Sequence, residues 1–314
     1  MPHDHHHHQI PPESGDKRIF LAVAVNVALT LVQIVAGVIS GSLALIADAI
    51  HNLSDALSLV IAFAARRIAR RPADAEMTFG YGRAEVVAAL VNYTTLIVIA
   101  LYLVAEGVSR LLDPPEVQGW IVVAVAAAAL VVDTVTALLI FRMSKDSANM
   151  RAAFLHNVMD ALGSVAVIVS GTLILLYDWR LVDPLATLLI AGYILWHTAR
   201  ELGPVIRVLM LGTPPGAPAA DVLECMEAID GVEEVHHLHL WMMGEHEVSL
   251  EAHVVLAEAA DADAVKAALK KRLGVAFGIE HTVLELETEQ NRCASSQQIG
   301  HACGALDNAT HRHA

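Results

Sequence analysis

Six long apolar stretches occupy the first two-thirds of this chain, and short polar or Pro/Gly-containing segments separate them. At a rise of about 1.5 Å per residue, each stretch is long enough as a helix to cross the roughly 30 Å hydrocarbon core of a bilayer. Breaks are expected at Gly41, at Pro114-Pro115 and at Pro184. The pattern predicts an α-helical polytopic membrane protein with six transmembrane helices, at about 19–39, 43–65, 84–111, 119–141, 152–176 and 181–202.

The periodicity changes after the Gly/Pro-rich segment 212–216. Asp261 stands where it can cap a second short helix. The patterns are helical at 221–229 and 261–273, and strand-like at 232–242, 247–256 and 282–287. The order αββαβ predicts a small α+β domain, with helices on one face of a three-stranded sheet.

Composition agrees with a membrane protein that carries some soluble mass. Of the 314 residues, 55% are hydrophobic and 17% are charged, and the mean hydropathy is +0.53; soluble domains are nearer about 25% charged. Most of the formal charge of −14 comes from Asp and Glu in the last third of the chain. This acidity argues against nucleic acid as a partner. The three cysteines form no CxxC, which favours a reducing compartment without a disulfide framework.

Positive charges between the apolar stretches set the expected orientation. Lys and Arg precede the first stretch, follow the second, fourth and sixth, and are scarce in the opposite loops apart from Arg110 and Arg180. By the positive-inside rule, both termini lie in the cytoplasm. The polar N-terminus shows no cleavable signal peptide. We therefore expect a multi-pass protein of the cell (inner or plasma) membrane.

One phrase occurs twice inside these stretches: His-Asn-Leu-Ser-Asp-Ala-Leu from His51, and His-Asn-Val-Met-Asp-Ala-Leu from His156. His and Asp four residues apart lie on one face of a helix. If the second and fifth helices face each other, they bring together His51, Asp55, His156 and Asp160. Two imidazoles and two carboxylates form a tetrahedral site for Zn²⁺ and offset its charge. Ionisable groups at membrane depth cost about 2.5–3.5 kcal/mol each, which indicates a function.

The alternative is that these polar side chains only make hydrogen bonds between helices. That alternative explains neither the repeat nor the pairing of His with Asp. Asp48 lies on the same stripe, and we expect it behind the ligands or along the water path. Asp133 and the amides Asn26, Gln33 and Asn92 either line a hydrated cavity or make ordinary interhelical hydrogen bonds.

These motifs resemble the cation diffusion facilitator family, and specifically its zinc-transporting branch. The resemblance covers about 17–288 and rests on SLALIADAIH from Ser42 through Asp55, FGYGRAE from Phe79, His156 through Asp160, and VHHLHLW from Val235. It implies a homodimer that exports zinc-class cations in exchange for protons, and not an enzyme. The expected regions are a His-rich cytoplasmic N-terminal segment (1–17), a six-helix transmembrane domain (18–208), a cytoplasmic metal-binding domain (209–289) and a mobile tail (290–314).

The resemblance also implies a second metal site in the cytoplasmic domain. Its expected ligands are His236, His253 and Glu287, with His281 as a weaker candidate. Such a site either cements the dimer or senses cytoplasmic metal. The alternative is that these residues are solvated strand positions. In a regular strand His237 faces away from His236, so we expect no metal role for His237.

Two positions depart from the family's pattern. Met77 stands where relatives commonly have His, which puts a loop metal site in doubt. Leu211 stands where relatives usually have an acid, which puts in doubt a charge interlock with the region of Arg83. Clusters of possible metal ligands lie near both ends of the chain: His3 and His5–His8 near the N-terminus, and Cys293, His301, Cys303, His311 and His313 near the C-terminus. Either cluster could bind metal loosely. The N-terminal histidines could instead be an expression tag.

The ligand types predict transport by alternating access, with Zn²⁺ as the expected cargo and Cd²⁺ or Co²⁺ tolerated by the same donors. A hydrolytic enzyme would keep an open coordination position beside a general base. A sensor with a mere membrane anchor needs no polar stripes inside its helices. A channel needs weaker or multiple sites for fast conduction. The sequence therefore favours a proton-coupled exporter over these three classes.

Overall fold

The computed structural model describes residues 27–141, 148–244, 247–293 and 297–300. The chain divides into two compact units. The first, the helical unit, comprises Met1–Ala64 and Val91–Leu202; the second, the C-terminal unit, comprises Ala65–Leu90 and Gly203–Ala314. Each unit is described by itself.

Six helices lie in the described part of the apolar region. They are α1 (Val27–Ser40), α2 (Leu43–Ala69), α3 (Ala84–Leu112), α4 (Gly119–Phe141), α5 (Ala148–Tyr177) and α6 (Val182–Leu209). Helices α2 and α3, and segments Gly119–Leu138 and Asn157–Tyr177 of α4 and α5, are long and apolar enough to cross a membrane. The prediction of a helical polytopic membrane domain is confirmed, and α2 to α6 begin within four residues of the expected positions.

Exposure in the helical unit is distributed as it is in a lipid-facing bundle. Large apolar side chains such as Phe63, Leu138 and Leu189 are well exposed, whereas Gln33 and Ser164 are fully buried. Polar groups on the inside and apolar groups on the outside suit helices whose outer surface meets lipid.

Glycines set the close approach of α4 and α5. A β-carbon at Gly119 would lie 2.6 Å from the Gly171 carbonyl oxygen, and one at Gly171 would lie 2.9 Å from a methyl carbon of Val122. No larger residue fits at either point without displacing its neighbour. Small residues at such contacts let transmembrane backbones approach closely, which gives the packing that associates helices in lipid.

A carboxylate from α6 caps the start of α2. Asp183 is buried and accepts hydrogen bonds from the Ser42 hydroxyl, from the Leu43 N–H at 2.8 Å and from the Ala44 N–H at 3.4 Å. The first N–H groups of a helix have no partner within that helix. Asp183 supplies the missing acceptor from about 140 residues along the chain, so it fixes the entry of α2 against α6.

The C-terminal unit contains the predicted αββαβ order. Its elements are α7 (Ala219–Glu227), β1 (Val232–Met242), β2 (Val248–Leu256), α8 (Ala262–Phe277) and β3 (His281–Glu287). The strands lie in the order β1-β2-β3, with β1 antiparallel and β3 parallel to β2. Asp261 caps α8 as expected, accepting from the Asp263 and Ala264 N–H groups.

The core of this domain lies between the two helices and one face of the sheet. It contains Val222 and Met226 of α7, Leu269 and Leu273 of α8, and Leu250 of β2. Because side chains alternate along a strand, the residues between the core positions project from the opposite face. That opposite face carries the candidate ligands described below.

We expect Asp183→Ala to lower the stability of the helical unit by about 1–3 kcal/mol, because it leaves buried donors at the start of α2 without their acceptor. The measurement is the thermal unfolding midpoint of purified protein in detergent. Asp113→Ala, at an exposed carboxylate after α3, is the matched control. Equal midpoints for the two variants would contradict the capping role.

Candidate metal centres

The first candidate centre joins α2 and α5. His51 Nε2 lies 3.8 Å from Asp55 Oδ2 on the same helix and 3.4 Å from Asp160 Oδ1 on α5. One donor atom from each residue lies within 4.8 Å of the others. The structure therefore brings together three of the four predicted ligands, and it turns the His-Asp stripe of α2 toward α5.

These separations suit a shared ion. A tetrahedral cation with bonds of about 2.0–2.2 Å holds its ligand atoms about 3.3–3.6 Å apart. The two distances from His51 to the carboxylates are longer than a good charge-assisted hydrogen bond of about 2.7–2.9 Å. Asp160 is nearly buried and His51 and Asp55 are partly exposed, so the group is sheltered but not sealed.

The fourth predicted ligand, His156, lies in α5 one turn before Asp160. Its side chain lies outside the described part of the structure. The four-ligand set thus remains a prediction at this position.

Polar side chains from α1 support the stripe of α2. Asp48 is buried and accepts a 2.8 Å hydrogen bond from Gln33 Nε2 of α1. Asn52 donates a long hydrogen bond of 3.5 Å to Gln33 Oε1. Gln33 therefore holds two residues that flank His51 on α2.

A second buried pair joins α4 and α5. The Ser164 hydroxyl donates to Asp133 Oδ2 at 3.4 Å, and both residues are buried. On the same helix, Gly163 faces Asp48, since a β-carbon there would lie 2.9 Å from Asp48 Oδ1. Asp133 and Gln33 were expected either to line a hydrated cavity or to make hydrogen bonds between helices. The contacts described above are hydrogen bonds between helices. Asn26 lies outside the described residues.

Tyr193 is a neighbour of this centre that the sequence patterns did not single out. Its ring on α6 meets the His51 ring edge-on, with centroids 6.4 Å apart and an interplanar angle of 86°. Aromatic pairs favour this arrangement. A tyrosine in an apolar helix carries no periodic signal that would have marked it, because only the packing of α6 against α2 brings it to His51.

The loop between α2 and α3 is held by Asp74. Hydrogen bonds from the Met77 N–H, the Tyr81 hydroxyl and the Glu76 N–H lower the pKa of Asp74 below its ordinary value. Met77 itself is half exposed. Among the described residues, no group of candidate metal ligands forms at this loop.

Arg83 has partners other than an acid after α6. Within the C-terminal unit its guanidinium donates to the backbone carbonyl oxygens of Met243 at 3.1 Å and Met242 at 3.3 Å. Leu211 is exposed and has a positive φ of 57°. The contact of Arg83 is thus with the end of β1.

The second candidate centre lies on the face of the sheet opposite the core. Three imidazole rings meet there, with centroids 4.9 Å apart for His236–His237 and His237–His253, and 5.4 Å apart for His236–His253. Glu287 Oε1 lies 2.7 Å from His253 Nδ1, and its Oε2 lies 3.2 Å from His236 Nε2. The predicted ligands His236, His253 and Glu287 are therefore brought together.

The expectation that His237 faces away is wrong. The pairing of β1 with β2 shifts between His236 and His239, and His237 has a φ of 52°. Val235 and Leu238 both lie in the core. Two residues therefore fit where a regular strand has one, which is a β-bulge, and the extra residue joins the cluster.

His281 lies apart from this cluster. It pairs with Ser249, whereas His253 pairs with Glu285. The two pairs are four positions apart, which corresponds to about 13 Å along the strand. His281 is also exposed, and the structure does not bring it to the other candidates.

Glu287 is the hub of the second centre. Burial would raise the pKa of its carboxyl, but hydrogen bonds from His253 and from the Cys293 N–H outweigh this, and the net pKa lies below its ordinary value. The Cys293 thiol also lies within 4.8 Å of donor atoms of His253 and Glu287. From the sequence alone, Cys293 was placed in an irregularly spaced cluster near the C-terminus. The other members of that cluster and the N-terminal histidines lie outside the described residues; they are His301, Cys303, His311 and His313, and His3 and His5–His8.

Two parts of the chain match described protein families. The cation efflux transmembrane domain matches residues 19–210, and the cation efflux protein cytoplasmic domain matches residues 214–289. The chain belongs to the cation efflux family. This confirms the family that the motifs resemble, the assignment to multi-pass membrane proteins, and the expectation of a transporter rather than an enzyme.

Relatives that match this cation efflux protein over more than nine-tenths of both chains have names that refer to metal transport. The zinc transporter ZitB of Shigella flexneri is 34% identical over 291 residues, covering 91% of this chain and 93% of the relative. The metal cation efflux system protein CzcD of Cupriavidus metallidurans is 33% identical over 305 residues, covering 97% and 95%. A cadmium, cobalt and zinc/H⁺-K⁺ antiporter of Bacillus subtilis is 30% identical over 295 residues, covering 92% and 93%.

Gly163→Ala should destabilise this cation efflux protein relative to Gly192→Ala by about 1–3 kcal/mol. Both changes give the helix the same gain in propensity. At Gly163 the new β-carbon meets Asp48 and disturbs its hydrogen bond to Gln33, whereas nothing lies within 4 Å of a β-carbon at Gly192. Thermal midpoints of the two variants in detergent measure the difference, and identical values would show that Asp48 is not held against α5.

Proposed function

We propose that this protein exports zinc-class divalent cations from the cytoplasm, by alternating access and in exchange for protons, through a tetrahedral site between α2 and α5. The observation that carries the proposal is the 3.4 Å approach of His51 to Asp160 across the two helices. Two carboxylates and an imidazole at membrane depth cost free energy that a purely structural bundle would avoid. His156 would complete the set as the second imidazole.

The charge and type of the donors suit the cargo. Two carboxylates offset a divalent cation, so little net charge is buried when the ion is loaded. Imidazole nitrogen and carboxylate oxygen accept Zn²⁺, Cd²⁺ and Co²⁺, which are the metals in the names of the relatives. Zn²⁺ is the expected physiological ion.

Proton exchange follows from the same donors. Metal binding requires neutral imidazoles and ionised carboxylates, so protons compete with the ion and affinity falls as pH falls. His51 and His156 are the expected proton carriers, because imidazole titrates near neutral pH. On the more acidic side, protons can then displace the ion from these donors and return through the site.

Orientation and assembly complete the proposal. The distribution of Lys and Arg favours cytoplasmic termini in the cell membrane, which places the C-terminal domain where it meets cytoplasmic metal. The matched cytoplasmic domain of the cation efflux family supports a homodimer. His236, His253 and Glu287 then form a separate cytoplasmic metal site that senses zinc or stabilises the dimer.

His51→Ala and Asp160→Asn are each expected to abolish zinc-driven proton flux, a loss of at least a hundredfold, because each removes a donor that the ion and the protons share. The assay is zinc uptake into proteoliposomes with internal pH recorded in parallel. Asp113→Asn, at an exposed loop carboxylate, is the control and should transport normally. Wild-type flux from a folded His51→Ala or Asp160→Asn protein would refute the transport site.

Zinc binding should separate into two independent classes of site. Asp160→Asn should remove the membrane class and leave the cytoplasmic class, and the double variant His253→Ala/Glu287→Gln should do the reverse. Equilibrium dialysis of full-length protein in detergent measures the stoichiometry. If the double variant bound as much zinc as the wild type, the cytoplasmic site would be disproved while the membrane site would be unaffected.

A further inference from the structure

The chain turns back toward the second centre as soon as β3 ends. Asn291 Oδ1 accepts hydrogen bonds from the Thr288 N–H at 2.6 Å and from its hydroxyl at 2.9 Å. The Arg292 guanidinium lies 2.6 Å from Glu234 Oε2 on β1. The Cys293 N–H donates to Glu287 Oε2 at 3.1 Å. Three separate contacts therefore fix this turn before the chain passes the cluster.

The described residues after the turn are also fixed, along the outer edge of β1. The His237 and Leu238 N–H groups donate to the carbonyl oxygens of Gln297 and Gln298 at 2.9 Å each, and the Gly300 N–H donates back to Leu238 O at 3.1 Å. Residues 297–300 thus lie beside the bulge that carries His237. Cys293 is held between this edge contact and the end of β3.

The thiol of Cys293 faces two of the proposed zinc ligands. Its sulfur, one nitrogen of His253 and one oxygen of Glu287 all lie within 4.8 Å of one another. The cysteine is partly buried and forms no disulfide with Cys225, the other described cysteine. Beside the three, the His236 ring is fully buried, and neither of its nitrogens makes a well-directed hydrogen bond to a described residue. A buried imidazole in that state needs an explanation, and an ion bound beside it supplies one.

We propose that the Cys293 thiolate is a ligand of the cytoplasmic metal site, together with His253 and Glu287, for a borderline or soft divalent cation such as Zn²⁺ or Cd²⁺. The inference rests on the cytoplasmic site proposed above and adds sulfur to its donors. A thiolate and a carboxylate offset the two charges of the ion, and the sulfur shifts preference toward Zn²⁺ and Cd²⁺ over oxygen-seeking cations. On binding, the thiol releases its proton to solvent as the metal–sulfur bond forms.

This ligation would couple the metal to the segment beyond the sheet. The turn at 288–293 is anchored to β1 and to Glu287, and residues 297–300 add to the edge of β1. A metal–sulfur bond at Cys293 fastens both contacts to the ligand set. Metal binding at the site would therefore attach the chain that follows β3 more tightly to the sheet.

The competing role for Cys293 is structural. Its backbone N–H holds Glu287 whatever the side chain is, so serine at this position keeps that hydrogen bond and removes only the sulfur. Cys293→Ser therefore separates ligation from support. A background of Cys225→Ser/Cys303→Ser leaves Cys293 as the sole thiol, since the chain has three cysteines.

The experiment titrates this full-length single-thiol protein, purified in detergent, with Co²⁺. Thiolate ligation gives an intense sulfur-to-cobalt charge-transfer absorption in the near ultraviolet, which nitrogen and oxygen donors do not give. We expect that absorption to saturate at one cobalt per chain. It should vanish in Cys293→Ser and in His253→Ala/Glu287→Gln, and persist in Asp160→Asn, in which transport is expected to fail.

Each other outcome is decisive. Visible cobalt bands that depend on His253 and Glu287, without charge transfer, would leave the cytoplasmic site standing and remove Cys293 from it. Charge transfer that persists in Cys293→Ser would also overturn the proposal. Absence of both signals would disprove the cytoplasmic site itself, while zinc flux in the wild type tests the membrane site separately.

A second readout needs no substitution of a proposed metal ligand. Zn²⁺ should slow alkylation of Cys293 in the single-thiol protein at least tenfold, and Mg²⁺ at the same concentration should not. Unchanged alkylation at a zinc concentration that saturates the cytoplasmic site would contradict ligation by sulfur.

Discussion

The approach of His51 to Asp160 is the contact that the rest of the helical unit has to hold in place. Ionisable groups are costly at membrane depth, and their separation of 3.4 Å is longer than a good charge-assisted hydrogen bond. The bundle therefore has to hold α2 and α5 in register by other means. Gly163 of α5 lies directly against the Asp48 carboxylate of α2, which Gln33 of α1 also holds by a hydrogen bond, and glycine contacts pack α4 closely against α5. The stabilising interactions lie around the candidate metal donors rather than between them.

The two candidate centres meet the same requirement in different ways. In the membrane, a regular helix repeats His and Asp at a spacing of four, and two helices face each other. In the C-terminal unit, a regular strand presents only alternate residues to one face. The bulge at His237 overcomes that limit by placing adjacent histidines on one face. Helical periodicity builds the first site, and a local break in strand periodicity builds the second.

This difference explains what could be predicted from the sequence. The spans, the αββαβ order, the Asp261 cap and the pairing of His51 with Asp160 all follow from periodic patterns or capping chemistry. His237 did not, because the alternation rule fails at a bulge that a single sequence does not mark. The capping of α2 by Asp183 and the ring contact of Tyr193 with His51 were missed. Both are contacts between residues about 140 positions apart in the sequence. His281 was included because of the family resemblance, and strand membership alone does not reveal that it lies four residues before Glu285, away from the cluster.

The donor sets also separate the two proposed roles. A transport site must release its ion in every cycle, so imidazoles and carboxylates, which protons can displace, are suitable there. A sensing site need only follow the cytoplasmic concentration, and for that task a tighter and more selective set is an advantage. Sulfur from Cys293 would supply that selectivity at the second centre, where Glu287 already links three parts of the domain. With sulfur outside the membrane and only nitrogen and oxygen donors within it, one chain would hold zinc firmly at the proposed cytoplasmic site and release it at the proposed transport site.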